Sequence, residues 1–262
     1  MIKLSHITKA YDSHVVLNDI SFNIQQGEFI GLIGPNGSGK STLLRMLSGV
    51  ERVDQGVVEL RGKRVHEYPR KEIARWLAVL EQEALPSLGF TTREIVEMGR
   101  YPFQNWLGDD SNNGHQLVDR IMEHLQLQDI EDRKIDTLSG GQRQRVALGR
   151  VMAQEPLLLL LDEPTTYLDI AYQIQMMDYI HQWQVECGLT VVAVLHDLNL
   201  AAQYCTRLMM VSKGQIVADG KPEEIISPEL IKQVYGTEPI VLKHPTSGVP
   251  QILLQPTGLN GM

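Results

Sequence analysis

Residues 34–42 read Gly34-Pro35-Asn36-Gly37-Ser38-Gly39-Lys40-Ser41-Thr42 and match the pattern G-x-x-x-x-G-K-[ST]. An apolar run precedes them at residues 29–33, and a run with helix formers follows at residues 43–47. The pattern is specific when it lies between a strand and a helix, which is the setting that these flanking runs predict. The stretch therefore predicts a binding site for the phosphates of a nucleotide.

The residue types of this loop follow from the chemistry of phosphate. A di- or triphosphate binds where backbone N–H groups point inward, and side chains at the tight positions would block that approach, so glycine is required there. The helix after the loop directs the positive end of its dipole at the anion. Lys40 adds a point charge for the β- and γ-phosphates, and Ser41 offers a hydroxyl to Mg²⁺.

Length and charge limit the class of protein. The chain has 262 residues and a formal net charge of -8. This acidic balance argues against nucleic acid or an anionic membrane surface as the main partner. The two cysteines have no metal-binding or disulfide-framework spacing, which fits a reducing compartment. The sequence has no signal peptide pattern and no apolar run near the roughly 20 residues that cross a bilayer, so if the protein serves a membrane process, we expect it to act from the cytoplasmic side.

Hydrophobic patterns predict the fold class. Apolar and polar residues alternate at residues 2–8 and 15–24, which indicates a small antiparallel layer. Continuous apolar runs at 157–161 and 190–195 are typical of buried parallel strands. The pattern from 91 to 153 is mostly helical. We therefore predict an α/β fold: a P-loop NTPase core with a parallel sheet and an antiparallel β layer, plus an inserted helical subdomain.

Changes in pattern along the chain also predict the domains. We expect a discontinuous nucleotide-binding core at residues 1–87 and 154–236 and a helical subdomain at residues 88–153. Residues 237–262 predict a C-terminal hairpin tail, because two short apolar runs flank a turn-forming Pro-Thr-Ser-Gly sequence.

Polar residues follow two of the predicted buried strands. Asp162 ends the first strand and is expected to hold Mg²⁺, while Glu163 comes next and could polarise an attacking water. His196 follows the second strand, at the edge where ligands bind in open α/β sheets. His196 is therefore either a sensor of the γ-phosphate or an ordinary polar residue, and its position alone does not decide between them.

Two further features stay open from the residues alone. Ser139-Gly140-Gly141-Gln142 precedes a helical run, so it forms either a second anion-binding helix start or an ordinary helix cap. Tyr11 lies in the turn between the first two predicted strands. Its ring either stacks on a nucleotide base or packs against the protein.

The motifs together resemble one family, the ATP-binding subunits of ABC transporters. The resemblance covers residues 1 to about 255, and the motifs occur in the family's order and spacing. The segments that carry it are residues 34–42, Gln82, residues 138–142, residues 161–163, residues 168–169 and His196. The combination is far more specific than any one motif.

The resemblance implies a role for each residue left open above. Two subunits would stack head to tail, so that Ser139, Gly140, Gly141 and Gln142 of one chain close on the γ-phosphate held by the other. Glu163 would be the general base, Tyr11 the adenine-stacking residue and His196 the switch. Gln82 would be a ligand-sensing hinge and one of the catalytic residues. It would also be a Mg²⁺ ligand, together with Ser41 and Asp162. The implied ligands are ATP and Mg²⁺.

Within the family, the chain is most similar to importers of iron–siderophore complexes, haem and cobalamin. Residues 98–102, 166–173, 194–201 and 228–236 and the tail carry this likeness. Tyr172 departs from it, because the group usually has His there. The resemblance implies import of a ferric siderophore, with haem or cobalamin as the alternative cargo.

The same likeness implies the partners of the chain. They are a second ATPase chain, separate integral membrane permease subunits and, indirectly, an extracytoplasmic substrate-binding protein. The chain would then lie at the cytoplasmic face of the membrane. The groove between the core and the helical subdomain would receive a cytoplasmic helix of the permease, and Glu97 and Arg100 are expected on the surface there.

Two other classes of protein fit less well. Soluble ABC ATPases of DNA repair or translation typically carry long coiled-coil insertions or two tandem cassettes, and the sequence has neither. A small-molecule kinase with a P-loop would need a lid and an acceptor pocket, and it would leave the motif at Ser139 unexplained.

Overall fold

A computed structural model describes residues 1–81, 85, 89–105, 110 and 114–255. The chain forms two compact units, which we call the first unit (Met1–Glu67 and Val191–Met262) and the second unit (Tyr68–Thr190). Both predicted boundaries of the helical subdomain, after residues 87 and 153, fall inside the second unit. That finer division stays a prediction.

The first unit contains an antiparallel sheet, as the alternating pattern predicts. Its strands are β1 (Ile2–Tyr11), β2 (His14–Ile24), β4 (Gln55–Leu60) and β5 (Lys63–Arg64), in the order β2-β1-β4-β5. In β1, Ile2, Leu4 and Ile7 are buried while Lys3 and His6 are exposed, so one face of the strand belongs to the core. The register runs from Ile2 opposite Ile24 to Tyr11 opposite His14.

The first unit also contains parallel strands. They are β3 (Phe29–Ile33), β8 (Thr190–Val194) and β9 (Arg207–Ser212), joined by the antiparallel strand β10 (Gln215–Gly220) in the order β10-β9-β3-β8. Every residue of β3 and β8 is buried, which is typical of a parallel strand covered on both faces. Phe29 pairs with Val191, so both strands end at the same edge of the sheet.

Helices and a hairpin complete the first unit. The helices are α1 (Lys40–Leu47), α7 (Leu198–Tyr204), α8 (Pro222–Ile225) and α9 (Pro228–Tyr235). The predicted tail hairpin is present: strands β11 (Ile240–Lys243) and β12 (Pro250–Leu253) pair antiparallel, and Ile240 lies opposite Leu253.

The second unit has a pair of parallel strands and several helices. The strands are β6 (Leu77–Leu80) and β7 (Leu158–Asp162), and Leu77 pairs with Leu158. The helices are α2 (Arg70–Ile73), α3 (Thr92–Met98), α4 (Gly114–His124), α5 (Gly140–Ala153) and α6 (Ile170–Cys187). None of the helices in the described parts of the chain is both long and apolar enough to cross a bilayer.

Arg100 is not the surface residue that the sequence suggests. It is only 2% exposed, because its guanidinium binds Asp110 and Glu155 at 2.6 Å each and donates to the Ala153 carbonyl at 2.9 Å. A buried charge needs such partners to offset the loss of water. The expected surface position of Arg100 is therefore wrong, whereas Glu97 is part-exposed.

Candidate functional site

The glycine loop of residues 34–42 lies between β3 and α1, where the sequence predicts it. Gly34 and Gly39 have φ angles of 143° and 102°, in the region that favours glycine. A Cβ on Gly34 would lie 2.0 Å from the Val211 carbonyl oxygen, and one on Gly39 would lie 2.9 Å from that of Val16. Both the conformation and the space around these positions exclude side chains, which leaves the backbone of the loop free to approach a ligand.

Lys40 is buried at the first position of α1. Its ammonium donates to the carbonyl oxygens of Gly34 at 2.8 Å and Pro35 at 2.9 Å, so its charge lies within the curve of the loop. The Ser38 hydroxyl is also buried, and it has no hydrogen-bond partner within the described residues. An unsatisfied buried hydroxyl is costly, and an anionic oxygen bound in the loop would satisfy it.

The predicted Mg²⁺ ligands offer oxygen donors, which this ion prefers. Ser41 is the second residue of α1 and Asp162 is the last residue of β7, and both are half-buried. Throughout the described ranges, no group of three His, Cys, Asp or Glu side chains could hold a metal alone. Mg²⁺ usually binds one or two protein groups together with substrate phosphates, and the oxygen of each of these residues is of the kind that such an ion takes. Gln82, the third predicted ligand, lies outside the described residues.

Two predicted site residues lie at the surface of the first unit. Tyr11 is the last residue of β1 and is 41% exposed. His196 is exposed two residues after β8, at the sheet edge where the glycine loop also begins. The next residue, Asp197, caps α7 by accepting from the N–H groups of Asn199 and Leu200 at 2.8 and 3.0 Å. The Asp197 carboxylate thus has a structural role as the helix cap, and His196 before it is exposed.

Glu163 has an unusual backbone conformation. Its φ angle is 53°, which is uncommon for a residue other than glycine and is often found at functional sites. The Glu163 carboxylate is half-buried and accepts a hydrogen bond from the Thr166 hydroxyl at 3.3 Å. The turn that follows is held by Gln144 of α5, whose amide donates to the Pro164 carbonyl at 3.0 Å. The structure therefore fixes Glu163 in a strained turn directly after β7.

Ser139 caps helix α5, so a helix does start at this motif. Its hydroxyl accepts from the Gln142 N–H at 3.3 Å, and the Gln142 side chain accepts from the Ser139 N–H at 3.0 Å. This reciprocal pair is a capping box. Nothing lies within 4 Å of a Cβ on Gly140, whereas a Cβ on Gly141 would lie 2.9 Å from the Tyr172 ring. Contacts within the second unit thus fix the start of α5, and the space in front of Gly140 is empty of other atoms of the described residues.

The predicted site residues divide between the two units. The first unit contains Tyr11, residues 34–42 and His196, and the second contains residues 139–142, Asp162 and Glu163. Sequence reasoning missed Lys9, whose ammonium lies over the Tyr11 ring. The spacing of two residues is the one local signal for this contact, although the pairing of β1 is irregular between Lys9 and Ala10.

Comparisons with known proteins all point to one family. The model of the ABC transporter family matches residues 17–166. An uncharacterized ABC transporter ATP-binding protein of Bacillus subtilis (strain 168) is 41% identical over 97% of this chain and 58% of its own length. A ferric enterobactin transport ATP-binding protein of Escherichia coli (strain K12) is 40% identical over 94% of this chain and 91% of its own length.

One more relative and one solved structure extend this picture. An iron(3+)-hydroxamate import ATP-binding protein of Bacillus subtilis (strain 168) is 36% identical over 93% of this chain and 90% of its own length. A dimeric ATP-binding cassette in a post-hydrolysis state, bound to ADP and Pi, has a TM-score of 0.75 and 28% identity over 84% of this chain and 98% of that one. The fold, the glycine loop and these relatives agree, and the chain belongs to the ABC transporter family as an ABC-type ATPase.

Proposed function

We propose that this chain is the ATP-hydrolysing subunit that powers import of a ferric siderophore across the cytoplasmic membrane through a separate permease. The observation that carries the cargo is the name of one relative, ferric enterobactin transport, at 40% identity over 94% of this chain. A relative named for iron(3+)-hydroxamate import supports the same class of cargo. Haem or cobalamin is the alternative cargo.

The geometry of the glycine loop supports the chemistry proposed for its residues. The backbone N–H groups of residues 34–42 bind the phosphates of ATP, and the Lys40 ammonium neutralises the β- and γ-phosphates. Glu163 accepts the proton of a water whose oxygen attacks the γ-phosphorus, while the bond to the leaving oxygen of ADP breaks. His196 senses the γ-phosphate, and Tyr11 stacks on adenine.

A Mg²⁺ ion would enter the site with ATP and would be held by few protein groups. Ser41 and Asp162 would hold it, and Gln82 is the third ligand that the resemblance implies. When bound, the ion supplies positive charge to the oxygens of the β- and γ-phosphates. Proton transfer and orientation of the attacking water belong to Glu163.

Two chains form the complete site in this proposal. The capped start of α5 carries N–H groups and the positive end of a helix dipole, which is suited to a phosphate oxygen. Residues 139–142 of one chain therefore close on the γ-phosphate bound by the glycine loop of another. The dimeric arrangement of the similar cassette bound to ADP and Pi supports this pairing.

A groove in the second unit is the proposed contact with the permease, which would hold the chain at the cytoplasmic face of the membrane. The groove has a volume of about 620 Å³ and is lined by α3, the residues after it and the end of α5. Its lining includes the exposed side chains of Met98 (39%) and Tyr101 (71%) and the acidic Glu97. A groove that combines apolar and charged lining residues suits an amphipathic helix of a membrane subunit.

Charge reversal at Glu97 is expected to separate transport from nucleotide binding. Glu97→Lys should lower cargo uptake several-fold while ATP affinity stays at the wild-type value, because a rim charge affects docking and Glu97 is not among the proposed nucleotide-site residues. The measurements are uptake by cells and ATP binding by the isolated chain. Glu123→Lys is the matched control, since Glu123 is exposed on α4 and does not line the groove. A loss of ATP affinity in Glu97→Lys would refute the docking role.

Uptake by a deletion strain tests the cargo. Cells that lack the gene should lose uptake of at least one labelled ferric siderophore in iron-poor medium, and the wild-type gene should restore it. A Lys40→Ala gene is the matched control and should not restore uptake, because its product lacks the phosphate-binding charge. Normal uptake of every iron chelate together with lost cobalamin uptake would replace the proposed cargo by cobalamin.

A further inference from the structure

A charged cluster surrounds Tyr11. Lys9 is buried, and its ammonium contacts the carboxylates of Glu51 at 2.7 Å and Asp54 at 3.2 Å and donates to the Arg52 carbonyl at 2.9 Å. Asp54 in turn accepts from the Ala10 N–H at 2.7 Å. These contacts tie the end of β1 to the segment after α1.

The cluster lies against the aromatic ring. The Lys9 ammonium lies over the Tyr11 ring, 5.2 Å from its centroid. The contact with Glu51 raises the pKa of Lys9 and lowers the pKa of Glu51, so both groups stay charged near neutral pH. A desolvated ammonium within about 6 Å of a ring centroid is strongly attracted to that ring. Tyr11 is therefore oriented although 41% of it is exposed.

The cluster also lies beside the phosphate loop. Lys9 pairs with Leu17 of β2, and a Cβ on Gly39 of the loop would lie 2.5 Å from the Leu17 side chain. Tyr11 follows Lys9 by two residues of β1, and its ring lies under the Lys9 ammonium. Leu17 thus links the strand that carries the ring to the loop that is proposed to bind the phosphates.

We propose that Lys9, held by Glu51 and Asp54, is a positioning residue that orients the Tyr11 ring for stacking on the adenine base. This inference rests on the proposed adenine-stacking role of Tyr11. The ammonium also withdraws electron density from the ring, which favours stacking on an electron-rich purine. The phosphate loop does not need Lys9, so the contribution of Lys9 depends on the base of the ligand.

The test compares ATP with inorganic tripolyphosphate, which has no base. Dissociation constants are measured for the full chain in the wild-type, Lys9→Met, Tyr11→Ala and doubly substituted forms. Lys9→Met should weaken ATP binding by about three- to tenfold and leave tripolyphosphate binding unchanged. In the Tyr11→Ala background, Lys9→Met should have no further effect on ATP binding, because the ring that it orients is gone.

Three controls separate positioning from folding. Lys3→Met removes an exposed lysine of the same strand and should change neither constant. Lys9→Arg keeps the charge and should retain most of the ATP affinity. If Lys9→Met unfolds because Glu51 is left unpaired, the paired variant Lys9→Gln/Glu51→Gln removes both charges together and should show the same selective loss of ATP binding.

The outcomes are distinct. An equal loss of affinity for ATP and tripolyphosphate, or independent losses that add in the double variant, would overturn the positioning role. Weaker ATP binding in Tyr11→Ala together with unchanged binding in Lys9→Met would overturn this inference alone. Unchanged ATP binding in Tyr11→Ala would overturn the stacking role of Tyr11 as well.

Discussion

Glu163→Gln is expected to bind ATP with the wild-type affinity and to hydrolyse it about 10²–10⁴-fold more slowly, which is the usual contribution of a general base. The substitution keeps the size of the side chain and removes its ability to accept a proton. The new side chain is expected to keep the same place, because the backbone of the turn is unchanged and an amide oxygen can still accept from the Thr166 hydroxyl. Phosphate release under saturating ATP measures hydrolysis, and equilibrium titration measures binding.

Two matched variants sharpen this prediction. Thr166→Val removes only the hydroxyl that orients the Glu163 carboxylate, so it should slow hydrolysis less than Glu163→Gln does. Glu123→Gln changes an exposed glutamate of α4 and should have no effect on hydrolysis. Hydrolysis by Glu163→Gln at nearly the wild-type rate would show that another group is the base.

Ser139→Arg is expected to abolish both hydrolysis and ATP-dependent association of chains. Arginine cannot form the capping box with Gln142, and its large side chain would occupy the space in front of Gly140 that a phosphate needs. With Glu163→Gln and ATP, the wild-type Ser139 should give dimers on size exclusion, and adding Ser139→Arg should give monomers. ATP binding by the monomer should persist, since Lys40 and its loop are intact.

Ser139→Ala is the graded control for this variant. It removes the capping hydroxyl, at a cost of roughly 1 kcal/mol to the start of α5, without adding bulk or charge. We expect weaker but measurable dimer formation and hydrolysis. Dimers of Ser139→Arg as stable as those of the parent would contradict a phosphate contact at this helix start.

The sequence predicts those parts of the fold that depend on neighbouring residues. The glycine loop lies between a buried strand and a helix because its glycines and the flanking apolar runs are adjacent in the chain. The cap at Ser139 depends on Gln142, three residues away, so it is also readable locally. The fold class and the family could be predicted for the same reason, because the motifs that indicate them are short and specific. The comparisons with known proteins confirm both predictions.

Contacts between distant residues could not be predicted in this way. Arg100 looks like a surface charge until the chain brings Asp110 and Glu155 to it. Lys9 meets Glu51 and Asp54 more than 40 residues away, so the support of Tyr11 is visible only in three dimensions. The positive φ of Glu163 arises from the turn that the surrounding contacts impose. The roles assigned to the site residues stay predictions.

Mixing two inactive variants tests the central claim, which is that one ATP is hydrolysed between two chains. Ser139→Arg chains keep Lys40, and Lys40→Ala chains keep Ser139, so each mixed dimer has one intact composite site. Each variant alone should be inactive, because neither forms ATP-bound dimers with itself, and an equal mixture should regain up to about one half of the wild-type rate, because each mixed dimer has one intact site of two. Full activity of Ser139→Arg alone would contradict the account, as would a mixture that stays inactive although its mixed dimers form.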